Sequence, residues 1–476
     1  MSRDELTQIG VISIVAESAG VPPRPREIAF SEALHTWIRV ALQSFGGPAG
    51  QIAVMHRILV EEKRWIGEER FLHALSYCML LPGPEAQQLA TYIGWLLHRT
   101  LGGLAAGILF VLPGFFAILV LSLLYTAYGN LPLVEGLFFG VKPAVLALVL
   151  EALLRIGRRS LGHAAPGAVA ALAFVAIFFF AVPFPWIIIA AGGIGLVGAH
   201  FAPDAFRAPR PQLPAGESAV VDAALDRERP DHTLPSPIRA LRVTAACGAL
   251  WGIPIVVLAW SRGLEDIYTQ IAVFFSKLAV VTFGGAYAVL AYMAQHAVET
   301  HGWLAPGEML DGLGMAETTP GPLIQVVQFV GFLGAYRSPG ELEPWLAGSL
   351  AAILTTWVTF VPCFLWIFLG APYVEQLREN RALRGALAGI TAAVIGAVLN
   401  LAIWFSLHTL FAQVYERRYG PVLLQVPDWA SVDTAAAVIA VVAAIATLWF
   451  HVNMLRLIAA CAVAGIVWRF SAPLLS

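Results

Sequence analysis

The stretch Ser44-Phe45-Gly46-Gly47 returns as Thr282-Phe283-Gly284-Gly285, and Pro82-Gly83-Pro84 returns as Pro320-Gly321-Pro322. Both recurrences are offset by 238 residues, as are Trp65/Trp303, Gln87/Gln325 and the cations Arg39/Lys277. Farther on, Pro113/Pro362, Gly136/Gly385 and Gly140/Gly389 share an offset of 249. A chain that repeats one hydrophobic unit, interrupted by Gly and Pro at matching places, must fold as two similar halves. In membrane proteins that pattern places a binding site between the repeats.

The hydrophobic fraction of 58%, charged fraction of 13% and mean hydropathy of +0.74 place those halves in a bilayer. A soluble domain carries about twice that charge, and apolar stretches of spanning length recur along the chain. The net charge of −2 says nothing about partners, and no basic block points to nucleic acid, so no nucleic-acid partner is expected. Cys78, Cys247, Cys363 and Cys461 are isolated in apolar stretches and read as small core residues, with no metal site and no cofactor implied. The first 30 residues have no signal-peptide pattern, so the first span is expected to act as its own insertion signal.

The apolar pattern predicts an all-α polytopic membrane protein with about thirteen transmembrane helices. They fall near 32–58, 70–97, 101–127, 131–155, 163–181, 184–201, 240–260, 267–297, 308–336, 345–369, 381–410, 432–450 and 452–471. The expected organisation is an amino-terminal tail (1–31), a first membrane repeat (32–201), a polar linker (202–239), an adapter helix (240–261) and a second repeat (262–476). The second copy starts seven crossings after the first. An odd number inverts it, so two inverted-topology repeats are expected, joined by the extra span.

Loop Lys and Arg are more numerous on the side of the amino terminus and the linker, which predicts that both are cytoplasmic. The His56–Arg70 segment, with Arg57, Lys63, Arg64 and Arg70 on the outer side, argues the other way. That segment and its counterpart around Trp303 are expected to be interfacial connectors with a tryptophan anchor.

Only Arg39, Lys142 and Lys277 among the Lys and Arg fall inside apolar spans. Charge at membrane depth is costly and usually faces a bundle interior or a water path, although cations in the first half of a span can also snorkel. Gly46-Gly47 and Gly284-Gly285 in mid-span should kink or break a helix. The freed N–H groups and positive helix end suit an oxyanion; close packing through small residues is the alternative. Two prolines around a glycine cannot continue a helix, and broken backbone at membrane depth needs cover by protein or water. Glu85, Gln87 and Gln88 flank one break, and Glu317, Thr318, Thr319, Gln325 and Gln328 flank the other. Glu85 and Glu317 are the proton-coupling candidates.

Phe45-Gly46-Gly47-Pro48, the Leu-Leu-Pro-Gly-Pro run at 80–84 leading into Ala90-Thr91-Tyr92-Ile93-Gly94, and the Phe283-Gly284-Gly285 and Thr319-Pro320-Gly321-Pro322 pair resemble the chromate ion transporter family in its long, two-domain form. The likeness covers nearly the whole chain apart from the first 30 residues and the linker. It implies a bacterial inner-membrane protein of two homologous halves that exports chromate from the cytoplasm, with proton-motive force as driver. Glu85-Ala86-Gln87-Gln88 and Gly50-Gln51 depart from the polar residues common in that family and mark a subgroup.

The expected function is therefore secondary active export of chromate or a similar tetrahedral oxyanion. Arg39 and Lys277 would supply charge, with Lys142 breaking the symmetry, since its counterpart is Thr391. Backbone donors at Gly46, Gly47, Gly284 and Gly285, hydroxyls of Ser44, Thr282 and Thr319, and the amides of Gln87 and Gln325 would bind the anion. The breaks at Pro82, Gly83, Pro84, Pro320, Gly321 and Pro322 would close the site. Transport of sulfate and a passive anion channel are the alternatives. An intramembrane enzyme is the least supported reading, for want of paired metal ligands, a nucleophile–base pair or a cofactor loop. The oligomeric state stays open, a homodimer included.

Overall fold

The computed structural model describes residues 28–45, 47–79, 81–160, 163–201, 233–283, 286–373 and 381–475. The amino-terminal tail up to residue 27, the linker at 202–232 and three expected site residues, Gly46, Gly284 and Gly285, lie outside that range. Nearly all of the described residues are helical. The first half runs through α1 (Phe30–Gln43), α2 (Gly47–His56), α3 (Glu68–Cys78), α4 (Glu85–Tyr128), α5 (Pro132–Ser160), α6 (Ala164–Phe180) and α7 (Phe184–Phe201). α8 (Pro237–Arg262) follows the linker. The second half runs through α9 (Ile267–Val281), α10 (Ala286–Gln295), α11 (Pro306–Thr318), α12 (Val326–Arg337), α13 (Pro344–Gly370), α14 (Arg381–Leu410), α15 (Thr434–Leu448) and α16 (Met454–Leu475).

Among the described residues, seven helices are long and apolar enough to cross a membrane. They are α4, α5, α7, α8, α13, α14 and α16. Four of the expected spans are pairs of shorter helices, as the motifs within them predict: α1 with α2, α3 with the start of α4, α9 with α10, and α11 with α12. The reason is local. Pro-Gly-Pro separates two of the pairs, and prolines cannot continue a helix; Phe-Gly-Gly separates the other two, and paired glycines weaken one. α4 is likewise two arms, 85–97 and 100–128, meeting at His98 and Arg99, the latter at φ 54.

The two halves share unusual details. A π-helical turn ends α2 at Arg57–Glu62 and another ends α10 at His296–Thr300. Trp65 N–H donates to the Leu59 carbonyl at 2.8 Å, and Trp303 N–H donates to the Ala297 carbonyl at 2.8 Å. Both tryptophans are only 4% exposed. They fasten the connectors to the protein interior and do not serve as lipid-facing anchors; Trp303 stacks on His301 at 4.3 Å.

The end helices of each half exchange partners. α5 packs chiefly against α15 and α16 of the second half, and α14 packs chiefly against α6 and α7 of the first. Small residues make both crossings close. A Cβ on Gly140 would lie 1.8 Å from the Cys461 carbonyl oxygen, and one on Gly195 would lie 2.1 Å from that of Gly385. The expected adapter is α8, none of whose residues is buried. The 411–431 stretch, expected as an outer loop, contains an antiparallel hairpin, β1 (Val414–Tyr419) with β2 (Val422–Pro427). Gly420 turns it at φ 59. It is an exception to an otherwise helical fold.

Candidate functional site

The breaks of one half are bonded to the breaks of the other. Gly83 N–H donates to the Thr282 carbonyl at 2.7 Å, and Gly321 N–H donates to the Ser44 carbonyl at 3.0 Å. Each Pro-Gly-Pro therefore reaches across to the end of the helix preceding the opposite Phe-Gly-Gly. Ser44 and Thr282 are both C-caps, whose carbonyls have no partner within their own helices. The crossed bonds satisfy them.

This approach needs glycine at both positions. Gly83 has φ 122 and Gly321 has φ 106, a region L side chains rarely enter. A Cβ on Gly321 would lie 3.0 Å from the Gly114 Cα, and one on Gly83 would lie 2.8 Å from the Cys363 Sγ. Gly114 and Cys363 are themselves repeat mates, following Pro113 in α4 and Pro362 in α13. Thus each broken segment rests on the proline-containing stretch of the opposite long helix. Gln51 adds a third cross-half tie, its Nε2 donating to the Gly321 carbonyl at 2.5 Å.

Polar side chains line the segments after the breaks and are deeply buried. Gln87 and Gln88 are 0% exposed, and Gln325 and Gln328 are 1% and 0%. Gln88 Nε2 donates to the Pro82 carbonyl at 2.7 Å. Gln87 Nε2 donates to Thr91 Oγ1 at 3.1 Å. Gln325 Nε2 donates to Gln328 Oε1 at 2.6 Å and Thr356 Oγ1 at 3.1 Å, and Gln328 Nε2 donates to the Phe115 carbonyl at 2.9 Å. Among the described residues, Oε1 of the repeat mates Gln87 and Gln325 is buried without a hydrogen-bond partner, as is that of Gln88. A primary amide so placed can turn over and present N–H donors instead. The first N–H groups of α4 open beside Gln87 with no intrahelical acceptor.

The other expected site residues divide. Glu85 (8% exposed) and Glu317 (2% exposed) are buried beside the two breaks. The hydroxyl of Ser44 donates to the Val40 carbonyl at 2.7 Å and that of Thr282 to the Leu278 carbonyl at 2.6 Å, so both protons are committed one turn back. Thr319 Oγ1 donates to the Ala316 carbonyl at 3.4 Å. Gly47 opens α2 at φ 65.

The cations are not gathered at the breaks. The Arg39 side chain is 45% exposed and pairs with Glu62 at 2.7 Å. Lys277 is exposed and faces the connector after α10. There burial, and then the Lys277 charge, hold the His301 imidazole below its ordinary range. Burial pushes the Glu299 carboxyl in the same connector up. Lys142 turns to Asp311 of α11 at 3.5 Å, a carboxylate the motif pattern does not single out. A cavity of about 200 Å³ lies apart from the breaks, between the α6–α7 corner, α10 and α14, and is lined by Tyr292, His296, Glu299 and Asn400 among others.

Long apolar helices, broken where two matched halves bond to one another around buried amides, define the class: a multi-pass membrane transporter. The sequence profile described as "Chromate transporter" matches residues 31–196 and 269–466. The chain belongs to that family. It is 30% identical over 386 residues to the chromate transport protein of Pseudomonas aeruginosa, covering 80% of this chain and 82% of that one. It is 29% identical over 399 residues to the chromate transport protein of Cupriavidus metallidurans, covering 80% and 86%. A probable chromate transport protein of Synechococcus elongatus is 28% identical over 379 residues, covering 79% and 84%. No solved structure matches the chain.

Proposed function

We propose that the protein is a secondary active transporter that exports chromate from the cytoplasm by alternating access, driven by proton-motive force. The observation that carries this reading is the crossed pair of backbone bonds, Gly83 to Thr282 and Gly321 to Ser44, with Gln87 and Gln325 buried beside them. A tetrahedral dianion needs converging neutral donors and a positive field, which half-helix N-termini and turnable amides offer without a buried countercharge. In this reading the anion binds between the breaks, among the N–H groups of Gly46, Gly47, Gly284 and Gly285, the start of α4 and the amides of Gln87 and Gln325. Arg39 and Lys277, exposed at corresponding places on α1 and α9, attract the anion toward the site. Glu85 and Glu317 carry protons beside the breaks.

The repeats at 32–201 and 262–476, joined through the adapter, are inverted by the parity of crossings, and rocking of one against the other alternates access. The amino terminus is cytoplasmic and the membrane is the bacterial inner membrane. The names of the relatives and the family match support chromate as cargo.

Efflux from chromate-loaded cells tests the proposal. Cells producing the protein should release labelled chromate faster than control cells, an uncoupler should stop the release, and internal sulfate should compete weakly. Release equal to control would sink the export reading. Full competition by sulfate would make chromate an incidental cargo.

A further inference from the structure

Among the described residues, the one buried charge not used at the breaks lies on α11. Asp311, 3% exposed, accepts a hydrogen bond from the Tyr125 hydroxyl of α4 at 2.9 Å and faces Lys142 Nζ of α5 at 3.5 Å. One turn earlier, Glu308 holds Arg337 of α12 through contacts of 2.8 and 2.5 Å, and Arg337 also donates to the Trp303 carbonyl at 2.9 Å. The charged and titratable groups facing Asp311 are thus Lys142, Tyr125 and Glu308, with Arg337 reaching it through the last two. α14 and α16 also touch α11 and add no such group among the described residues.

Three features distinguish this cluster from an ordinary tie. It joins the halves, since Lys142 and Tyr125 belong to the first and Asp311 to the second. It is built asymmetrically, because the repeat mates of Asp311 and Lys142 are His73 and Thr391. And the packing makes room for it: a Cβ on Gly307 would lie 2.9 Å from Lys142 Nζ, and one on Gly314 would lie 2.3 Å from Val141 Cγ1. Pro143, directly after Lys142, removes a helix N–H and loosens α5 at this point. From Asp311, α11 runs about 12 Å to Thr319, where the Pro-Gly-Pro break begins.

We propose that Asp311 is a proton-binding site whose occupancy opens and closes the Lys142 contact, so that α11 and the break it carries move with protonation. The proposal deepens the transport reading and rests on it. A proton binding to the carboxylate oxygen that faces Lys142 cancels its charge. Lys142 keeps its ammonium proton and loses its counter-ion, and proton release restores the pair. Lys142, at 28% side-chain exposure, leaves that edge of the cluster open to proton exchange, whereas Asp311 itself is sealed. A buried ion pair gains little net energy over its desolvation cost, so removing one charge can reverse the balance. Ionisable groups buried at membrane depth mark ion and proton paths.

Two measurements on the full-length protein in proteoliposomes test this. Asp311→Asn should keep tracer chromate exchange without gradients within about twofold of wild type, and should lose at least about tenfold of the accumulation driven by an imposed pH gradient. Loss of both at wild-type membrane abundance, or retention of both, overturns the proposal. The second readout needs no substrate. An acid-minus-alkaline infrared difference spectrum should contain a carboxylic C=O band that is absent in Asp311→Asn and appears at a different pH in Lys142→Met. A spectrum unchanged in both variants refutes the proton site. Should wild-type protein fail to exchange chromate, the transport reading falls while the infrared result still decides Asp311.

Discussion

Replacing Gly321 with Ala probes the crossed backbone bonds directly. The residue sits at φ 106, and the new Cβ would meet backbone, 3.0 Å from the Gly114 Cα and 3.2 Å from its nitrogen. Left-handed strain on a non-glycine residue costs about 1–3 kcal/mol, and overpacking against atoms that cannot yield adds about 1–3 kcal/mol. Gly83→Ala carries the same kind of strain at φ 122, but its Cβ meets the ends of two side chains, the Cys363 Sγ and the Gln88 Nε2, each at 2.8 Å. Those atoms can move, so the total there should be nearer about 1–3 kcal/mol. The expected order is Gly321→Ala worse than Gly83→Ala in both thermal stability and transport. Adding Cys363→Ala should recover part of the Gly83→Ala loss, whereas truncation cannot relieve a clash with the Gly114 main chain. The assay is fluorescence-detected melting of purified protein alongside chromate uptake normalised to membrane abundance. Wild-type melting and uptake in Gly321→Ala would refute the claim that close backbone approach between the halves is required.

Arg39→Ala removes an exposed pairing with Glu62, so stability should change by about 1 kcal/mol or less. Lys277→Ala should reduce transport more than Arg39→Ala at equal abundance, chiefly through a higher half-saturation concentration; identical kinetics to wild type would remove Lys277 from the anion's path. Gly140→Val should abolish accumulation of folded protein, because its Cβ would fall 1.8 Å from the Cys461 carbonyl oxygen, while Gly167→Val, with nothing within 4 Å, should be silent. Quantitative immunoblotting of membranes reads both, and equal abundance of the two variants would contradict the helix crossing described here.

The duplication was legible in the sequence because it is written in Gly, Pro and Trp, residues whose backbone or packing roles survive in both copies. The matched π-turns before Trp65 and Trp303 and the breaks at both Pro-Gly-Pro motifs follow from it. What the motifs could not reveal is which break meets which. Nothing local to Gly83 indicates that its N–H will cap Thr282, since that acceptor is supplied by the other half. Asp311 was missed for a related reason. Its repeat mate is His73, so the duplication does not mark it. An acid within one apolar span, in a chain with the cation Lys142 inside another, was the available clue. Reading Arg39 and Lys277 as buried ligands took sequence position within a span as depth. Their side chains leave the helices on exposed faces, where Arg39 reaches the connector carboxylate of Glu62. The hairpin at 414–427 escaped notice because its charged first strand, Glu416-Arg417-Arg418, has the composition of a loop.

The central claim, an anion path between the two bonded breaks, is tested most directly by labelled chromate uptake into energised everted membrane vesicles, comparing wild type with the double variant Gln87→Leu/Gln325→Leu at matched abundance. The account predicts saturable, uncoupler-sensitive accumulation by wild type and its loss in the double variant. Wild-type accumulation no greater than in empty vesicles, or undiminished accumulation by the double variant, would contradict it.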